Sequence, residues 1–271
     1  MQEFGINDNI MPMEDIERLS EIVKNHPSLK TLNLSGSLVD TGPRTTEILE
    51  MIMNAGRNKL ENINLSYNRI STEGQTCISD CLARNSVLVS LNIEGNELDD
   101  RVAILIAESL KHNTNLRFLR LRDNNITRTG WKALQKAEFD DTSLNAAFNS
   151  NHTCNINYSP DRDVIEDLDV SEMNGNYWCT KAFAPHFVRQ KKLYSVLSSR
   201  NRDCSNVGNF DDDMPVELLP HMLHSIHRFS NYYDGGSDIS QVRGHVHPLS
   251  LVYELCRHWE KSLATFEALS S

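Results

Sequence analysis

No apolar run in the 271-residue chain approaches the roughly 18 residues needed to cross a bilayer, so membrane insertion is not expected. Met1 is followed by Gln2 and Glu3 where a secretory leader would carry a basic segment and an apolar core, and a cytoplasmic location is expected. The six cysteines include no CxxC pair, which removes the commonest zinc and dithiol spacings and leaves a reducing compartment as the simpler assumption. Clustered Lys and Arg are also missing. With 37 acidic against 27 basic side chains the net charge is −10, and phosphate binding lacks its footprint, so nucleic acid is not an expected partner. Neither GxSxG, HExxH nor the phosphate-cradling GxxxxGKS/T occurs, and no constellation for nucleophilic or metal-assisted catalysis stands out.

What is present is a phrase used three times: LENINLSYNRI from Leu60, LVSLNIEGNEL from Leu88 and LRFLRLRDNNI from Leu116, each copy 28 residues after the last. Within each, apolar residues two apart (Ile63 and Leu65, Leu91 and Ile93, Leu119 and Leu121) have the period of a strand with one face buried. Asn68, Asn96 and Asn124 fall where the chain leaves the strand. A buried amide there can satisfy backbone groups of the neighbouring coil, so these residues are read as structural. A helical stretch follows, with Val102, Leu105, Ile106 and Leu110 spaced three and four apart, and Thr72 with Gln75 as a start signal in an earlier copy. Helices are expected around 43–56, 73–85, 101–112 and 129–137, the last capped by Thr129 and packing Trp131 in the core.

The pattern continues outward. Leu29, Leu32 and Leu34 form another copy with Ser37 in the Asn position, and Phe4, Ile6 and Asn9 form a first, followed by a helix over 13–25 with Ile16, Leu19, Ile22 and Val23 inward. At the other end, 28 residues on from Leu116, LNAAFNSNHTC from Leu144 reads as a decaying copy. The chain opens inside the pattern, so its first strand edge and helix flank are expected to be uncapped. Two expectations follow: a shortened relative of a longer array, or self-association through that edge.

Phrase, period and helical second half together resemble the leucine-rich repeats of the ribonuclease-inhibitor type over residues 1–156. The remainder, with KKLYSVLSSR, MPVELLPHMLHSI and HPLSLVYELCRHWEKS, resembles the helical ends of uncharacterised algal repeat proteins. The resemblance implies an α/β solenoid of about five to six repeats, parallel strands on the concave face and helices on the convex face, over 1–156. An α-helical cap is expected over 157–271. In that cap, helices are expected at 182–199, at 214–229 behind the acidic run Asp211–Asp213, and from Pro248 to Leu269, with a loop over 230–246.

Residues flanking each inward strand position point to the concave side. One column there reads Gly5, Asn33, Asn64, Asn92, Arg120 and Phe148; its neighbours read Glu3, Thr31, Asn62, Ser90 and Phe118, then Asn7, Ser35, Ser66, Glu94 and Arg122. Small polar groups give way late in the array to Arg and aromatic side chains, the types that most often anchor interfaces. The candidate partner-binding set is Tyr67, Glu94, Phe118, Arg120, Arg122 and Phe148. The alternative is that Phe118 and Phe148 are covered by the C-terminal region.

No metal and no cofactor is expected. His221, His224 and His227 stand at helical spacing but read as solvated or hydrogen-bonded, and Glu97, Asp99 and Asp100 sit at a strand-to-helix turn where acids favour the helix N-terminus. Cys77 and Cys81, one turn apart, read as small buried apolar residues. The resemblance implies a non-catalytic module that binds a protein partner through its concave face. It leaves two alternatives open: a regulator of a partner enzyme, either small-GTPase activator-like or nuclease-inhibitor-like, and the sensor end of a larger receptor.

Overall fold

The computed structural model describes residues 2–38, 45–56, 59–71, 76–84, 86–157, 185–202 and 218–230. It divides into two compact units, Met1–Phe139 with Ser150–Pro185, and Asp140–Asn149 with His186–Ser271.

The first unit alternates short strands with helices: β1 (Glu3–Gly5), α1 (Met13–Asn25), β2 (Thr31–Asn33), α2 (Thr45–Gly56), β3 (Asn62–Asn64), α3 (Cys77–Ala83), β4 (Ser90–Asn92), α4 (Asp100–Leu110), β5 (Phe118–Arg120), α5 (Arg128–Glu138) and β6 (Asn155–Asn157). The six strands form one parallel sheet in chain order. Strands β2 to β6 bury their central residues, Leu32, Ile63, Leu91, Leu119 and Ile156, while Phe4 of β1 is partly buried; from β2 to β5 the Leu or Ile two positions on (Leu34, Leu65, Ile93, Leu121) is buried as well. Facing them are the helix stripes Ile16, Leu19 and Val23; Ile48, Leu49 and Ile52; Ile78 and Leu82; Val102, Ile106 and Leu110; Trp131 and Leu134. Each such side chain contributes about 1.5–3 kcal/mol by leaving water, so a core continuous from repeat to repeat holds strands of three residues that would not pair alone. Ile22, expected inward, is 52% exposed. It lies about 100° round the helix from Val23 and falls off the 16–19–23 stripe.

The buried asparagines perform the expected structural task. Asn96 donates from Nδ2 to the carbonyls of Leu65 (3.0 Å), Ile93 (2.9 Å) and Glu94 (3.2 Å), and its Oδ1 accepts from Asn68 N and Ile70 N, both at 3.0 Å. Asn68 and Asn124 make corresponding bonds to Leu38 N and Leu98 N, and Ser37 takes the place in its own copy by donating to the Ile6 carbonyl. A second set lies outside the repeated phrase: Asn113 bridges the Leu82 carbonyl and Leu116 N, and Asn151 bridges the Leu110 carbonyl and Cys154 N, where helices hand over to strands.

Acidic residues support the starts of α4 and α5. Asp99 caps α4 through Arg101 N (2.8 Å) and Val102 N (3.3 Å), while the Asp100 carboxylate reaches the next repeat, accepting from Thr127 N (2.7 Å), Thr127 Oγ1 (2.6 Å) and Gly130 N (3.1 Å). The cap of α5 is Thr127, not Thr129: its hydroxyl accepts from Thr129 N. The Thr72 and Gln75 signal lies outside the described residues.

The expected copy at Leu144 is a correction. Residues Leu144–Asn149 form a helix, α6, in the second unit, and the sixth strand is Asn155–Asn157, whose Asn155 pairs in register with Phe118. The strand-to-strand step is therefore 155 − 118 = 37 residues where 28 was expected. Local chemistry explains the difference: Ser143 Oγ accepts from Ala146 N at 2.9 Å, a helix cap, and Ala146 and Ala147 are strong helix formers without the branched side chains a strand packs.

The second unit adds α7 (Pro185–Arg202) and α8 (Leu219–Ser230), which run to 202 and 230 where 199 and 229 were expected; the expected starts, 182–184 and 214–217, lie outside the described residues. Val188, Leu193, Val196 and Leu197 of α7 and Met222 and Ile226 of α8 are buried. The Asp211–Asp213 run, the loop over 230–246 apart from its first residue, and the helix from Pro248 to Leu269 lie outside the described residues.

Candidate protein-interaction surface

The register sets the columns of the sheet's outward face. Glu3, Thr31, Asn62, Ser90, Phe118 and Asn155 are aligned, as are Gly5, Asn33, Asn64, Asn92, Arg120 and Asn157. The third column follows from the bonds leaving the strands: Asp8 N donates to the Ser35 carbonyl, Tyr67 N to that of Glu94 and Gly95 N to that of Arg122, each at 2.9 Å. Phe118, Arg120 and Arg122 thus share one strand and its exit, and Glu94 lies at the exit of the neighbouring β4, its carbonyl bonded by Tyr67 N. Arg120 is exposed, while Phe118, Glu94 and Arg122 are half-buried.

Phe148, expected in the middle column, is not there; Asn157 takes that place. Phe148 sits on α6 in the second unit, where its ring centroid lies 5.1 Å from that of His221 on α8 and the Arg189 guanidinium of α7 covers it at 4.6 Å. Its aromatic face thus joins three helices of its own unit by ring and cation–π contact.

Tyr67 carries a signal that residue type alone does not show. The residue before the Asn position has positive φ in all five copies from β1 to β5: Asp8 (55°), Gly36 (63°), Tyr67 (56°), Gly95 (66°) and Asp123 (53°). A left-handed turn there costs an L-residue about 1–2 kcal/mol, least of all suited to a bulky aromatic. The Tyr67 ring lies on Gly95, where a Cβ would stand 2.2 Å from Cδ1, so only glycine admits the ring. Tyr67 is nevertheless 53% exposed, an aromatic side chain held in place on a rigid turn.

Residues 112–134 match a family model described as leucine-rich repeat. The matched stretch carries β5, both arginines of the patch and the first half of α5. With six parallel strands alternating with helices, the fold is that of a leucine-rich repeat solenoid, an architecture that generally serves as a protein-interaction scaffold.

On the helix side of the repeats, Glu50, Met53 and Asn54 of α2 and Cys77, Asp80, Cys81 and Arg84 line a cleft of about 210 Å³. Burial, helped by the nearby Glu50 carboxylate, pushes the Cys77 thiol up to about 12. A thiol so reluctant to ionise is a poor nucleophile at neutral pH. Among the described residues no three His, Cys, Asp or Glu side chains come together as a metal site, and no described helix is long and apolar enough to cross a membrane.

Proposed function

We propose that the chain is a non-catalytic interaction module whose repeat array binds a partner protein through the concave face, anchored by Tyr67, Phe118, Arg120 and Arg122 with Glu94 beside them. One observation carries this reading: along columns held in strict register, Thr31, Asn62 and Ser90 give way to Phe118, and Asn33, Asn64 and Asn92 to Arg120. The chemistry of the outward face thus changes at β5 from small polar groups to an aromatic residue and two arginines, of which Arg120 is exposed. Large rigid rings and forked guanidinium donors are what interface centres use. The strained Tyr67 turn supports the same reading, since such a conformation is kept where the side chain it presents has a use.

Affinity capture with the wild type, an Arg120→Glu, Arg122→Glu variant and a helix-side control, Glu108→Lys with Lys111→Glu, tests it. A partner retained by wild type and control and lost by the concave variant is the expected result; retention by all three puts recognition elsewhere.

A second surface suits association between copies. Two large apolar side chains of the first repeat, Ile10 and Ile22, are 61% and 52% exposed. Sedimentation equilibrium over a wide concentration range should show a dimer, and an unchanging monomer rules the contact out.

A further inference from the structure

The three columns of the concave face differ in how their polar groups are used. In the flanking columns side chains bond to each other: Asn62 Nδ2 donates to Thr31 Oγ1 at 3.2 Å, and the Ser35 and Ser66 hydroxyls meet at 2.9 Å. In the middle column each amide instead bonds its own strand exit. Asn33 Oδ1 accepts from Ser35 N (3.2 Å), Asn64 Oδ1 from Ser66 N (3.1 Å) and from the Ser66 hydroxyl (2.8 Å), and Asn92 Oδ1 from Glu94 N (3.1 Å). Because a backbone N–H can be met only by the amide oxygen, this bond fixes which way each side chain is turned and directs Nδ2 away from it. None of the three Nδ2 groups donates to another described residue.

Asn33, Asn64, Asn92 and Arg120 stand side by side on β2, β3, β4 and β5. With neighbouring strands about 4.8 Å apart, they make a row about 14 Å long of oriented donors, closed at one end by a guanidinium. Resting on the concave-face reading above, we propose that this row recognises an extended acidic segment of the partner protein, its carboxylates accepting from the Asn33, Asn64 and Asn92 amides and from Arg120. An extended chain advances about 6.7 Å for every two residues, so carboxylates at alternate positions over five residues span about 13 Å, the length of the row. Phe118, one column away at the arginine end, offers an apolar contact to the residue that follows. A nucleic-acid backbone fits less well: it carries a charge every few ångströms and needs clustered cations, and this row has one cation and three neutral amides.

Panning a random peptide library against the immobilised full chain tests the proposal, followed by affinity measurement on a synthetic copy of the enriched sequence. The informative variant is Asn64→Asp with Asn92→Asp. Aspartate keeps the acceptor used by Ser66 N and Glu94 N and exchanges only the outward donor for a carboxylate oxygen. Enriched peptides should carry Asp or Glu at alternate positions, and affinity should fall about tenfold or more on the variant, the usual loss when charge-assisted bonds are replaced by like-charge contact. Exchanging the peptide's Glu for Gln on the unaltered chain should produce a similar loss, a reading that does not depend on the variant folding. Peptides without acidic residues that are still lost on Arg120→Glu, Arg122→Glu would overturn the acidic segment and leave the concave-face reading standing. Peptides that bind all forms equally overturn both. No enrichment, or preference for a single-stranded oligonucleotide over the peptide, overturns the proposal as well.

Discussion

Replacing Asn96 by alanine isolates what one buried amide contributes to the stacking of repeats. The side chain is 5% exposed and makes five hydrogen bonds, three of them to the preceding repeat: to the Leu65 carbonyl and from Asn68 N and Ile70 N. Alanine leaves two buried N–H groups and one carbonyl without these partners. Each orphaned buried group costs about 1–3 kcal/mol, reduced where water can enter, so a loss of about 3–4 kcal/mol is expected. That is a large part of the roughly 5–15 kcal/mol that holds a domain folded. Asn92→Ala is the comparison, because it removes a single half-buried acceptor, Oδ1 to Glu94 N, and should cost about 0.5–1.5 kcal/mol. Urea unfolding followed by far-UV circular dichroism gives both midpoints, and equal slopes license their comparison. If Asn96→Ala shifts the midpoint no further than Asn92→Ala, the amide ladder is not what ties one repeat to the next.

Other expectations rest on single contacts. Gly95→Ala adds a Cβ at φ 66° and 2.2 Å from the Tyr67 ring, and should lower stability by about 1–2 kcal/mol in the same unfolding assay; adding Tyr67→Ala should recover the steric part only. Asp100→Ala removes the carboxylate that receives Thr127 N, Thr127 Oγ1 and Gly130 N at the start of α5, with an expected loss of about 1–2 kcal/mol; amide exchange in residues 128–131 should quicken, and unchanged exchange would refute the capping role. Cys77 has a folded-state value raised from 9.0 to about 12 by burial and by Glu50, so the protonated thiol is the form the fold prefers. Its contribution is complete below pH about 9 and is lost as pH rises towards 12; Cys77→Ser should flatten that part of the stability profile, and an unchanged slope would contradict the burial.

The strand–helix alternation and the first five members of each column were legible because a half-buried strand writes its register as apolar residues two apart. Isoleucine serves as well as leucine within that rule, as Ile63 at the β3 centre shows. The asparagine ladder was legible for a similar reason: a polar residue recurring beside the core at each strand exit must be satisfying backbone. The sixth strand was not. Leu144, Ala147 and Asn149 imitate the spacing of the phrase but follow a serine helix cap, whereas Asn155–Asn157 has only Ile156 to announce a strand. Phe148 was misplaced in the column by the same imitation. Nor could residue type disclose that Tyr67 turns left-handed, because the usual signal is a glycine and here the glycine lies one repeat later, beneath the ring, at Gly95.

Site-specific photo-crosslinking measures the central claim directly. A benzoylphenylalanine introduced for Phe118, on the concave face of β5, should link the bound partner on irradiation, while the same group introduced for the exposed Ile104 on α4 should not. Crosslinks from position 104 with none from 118 would place the partner on the helix side and contradict the account.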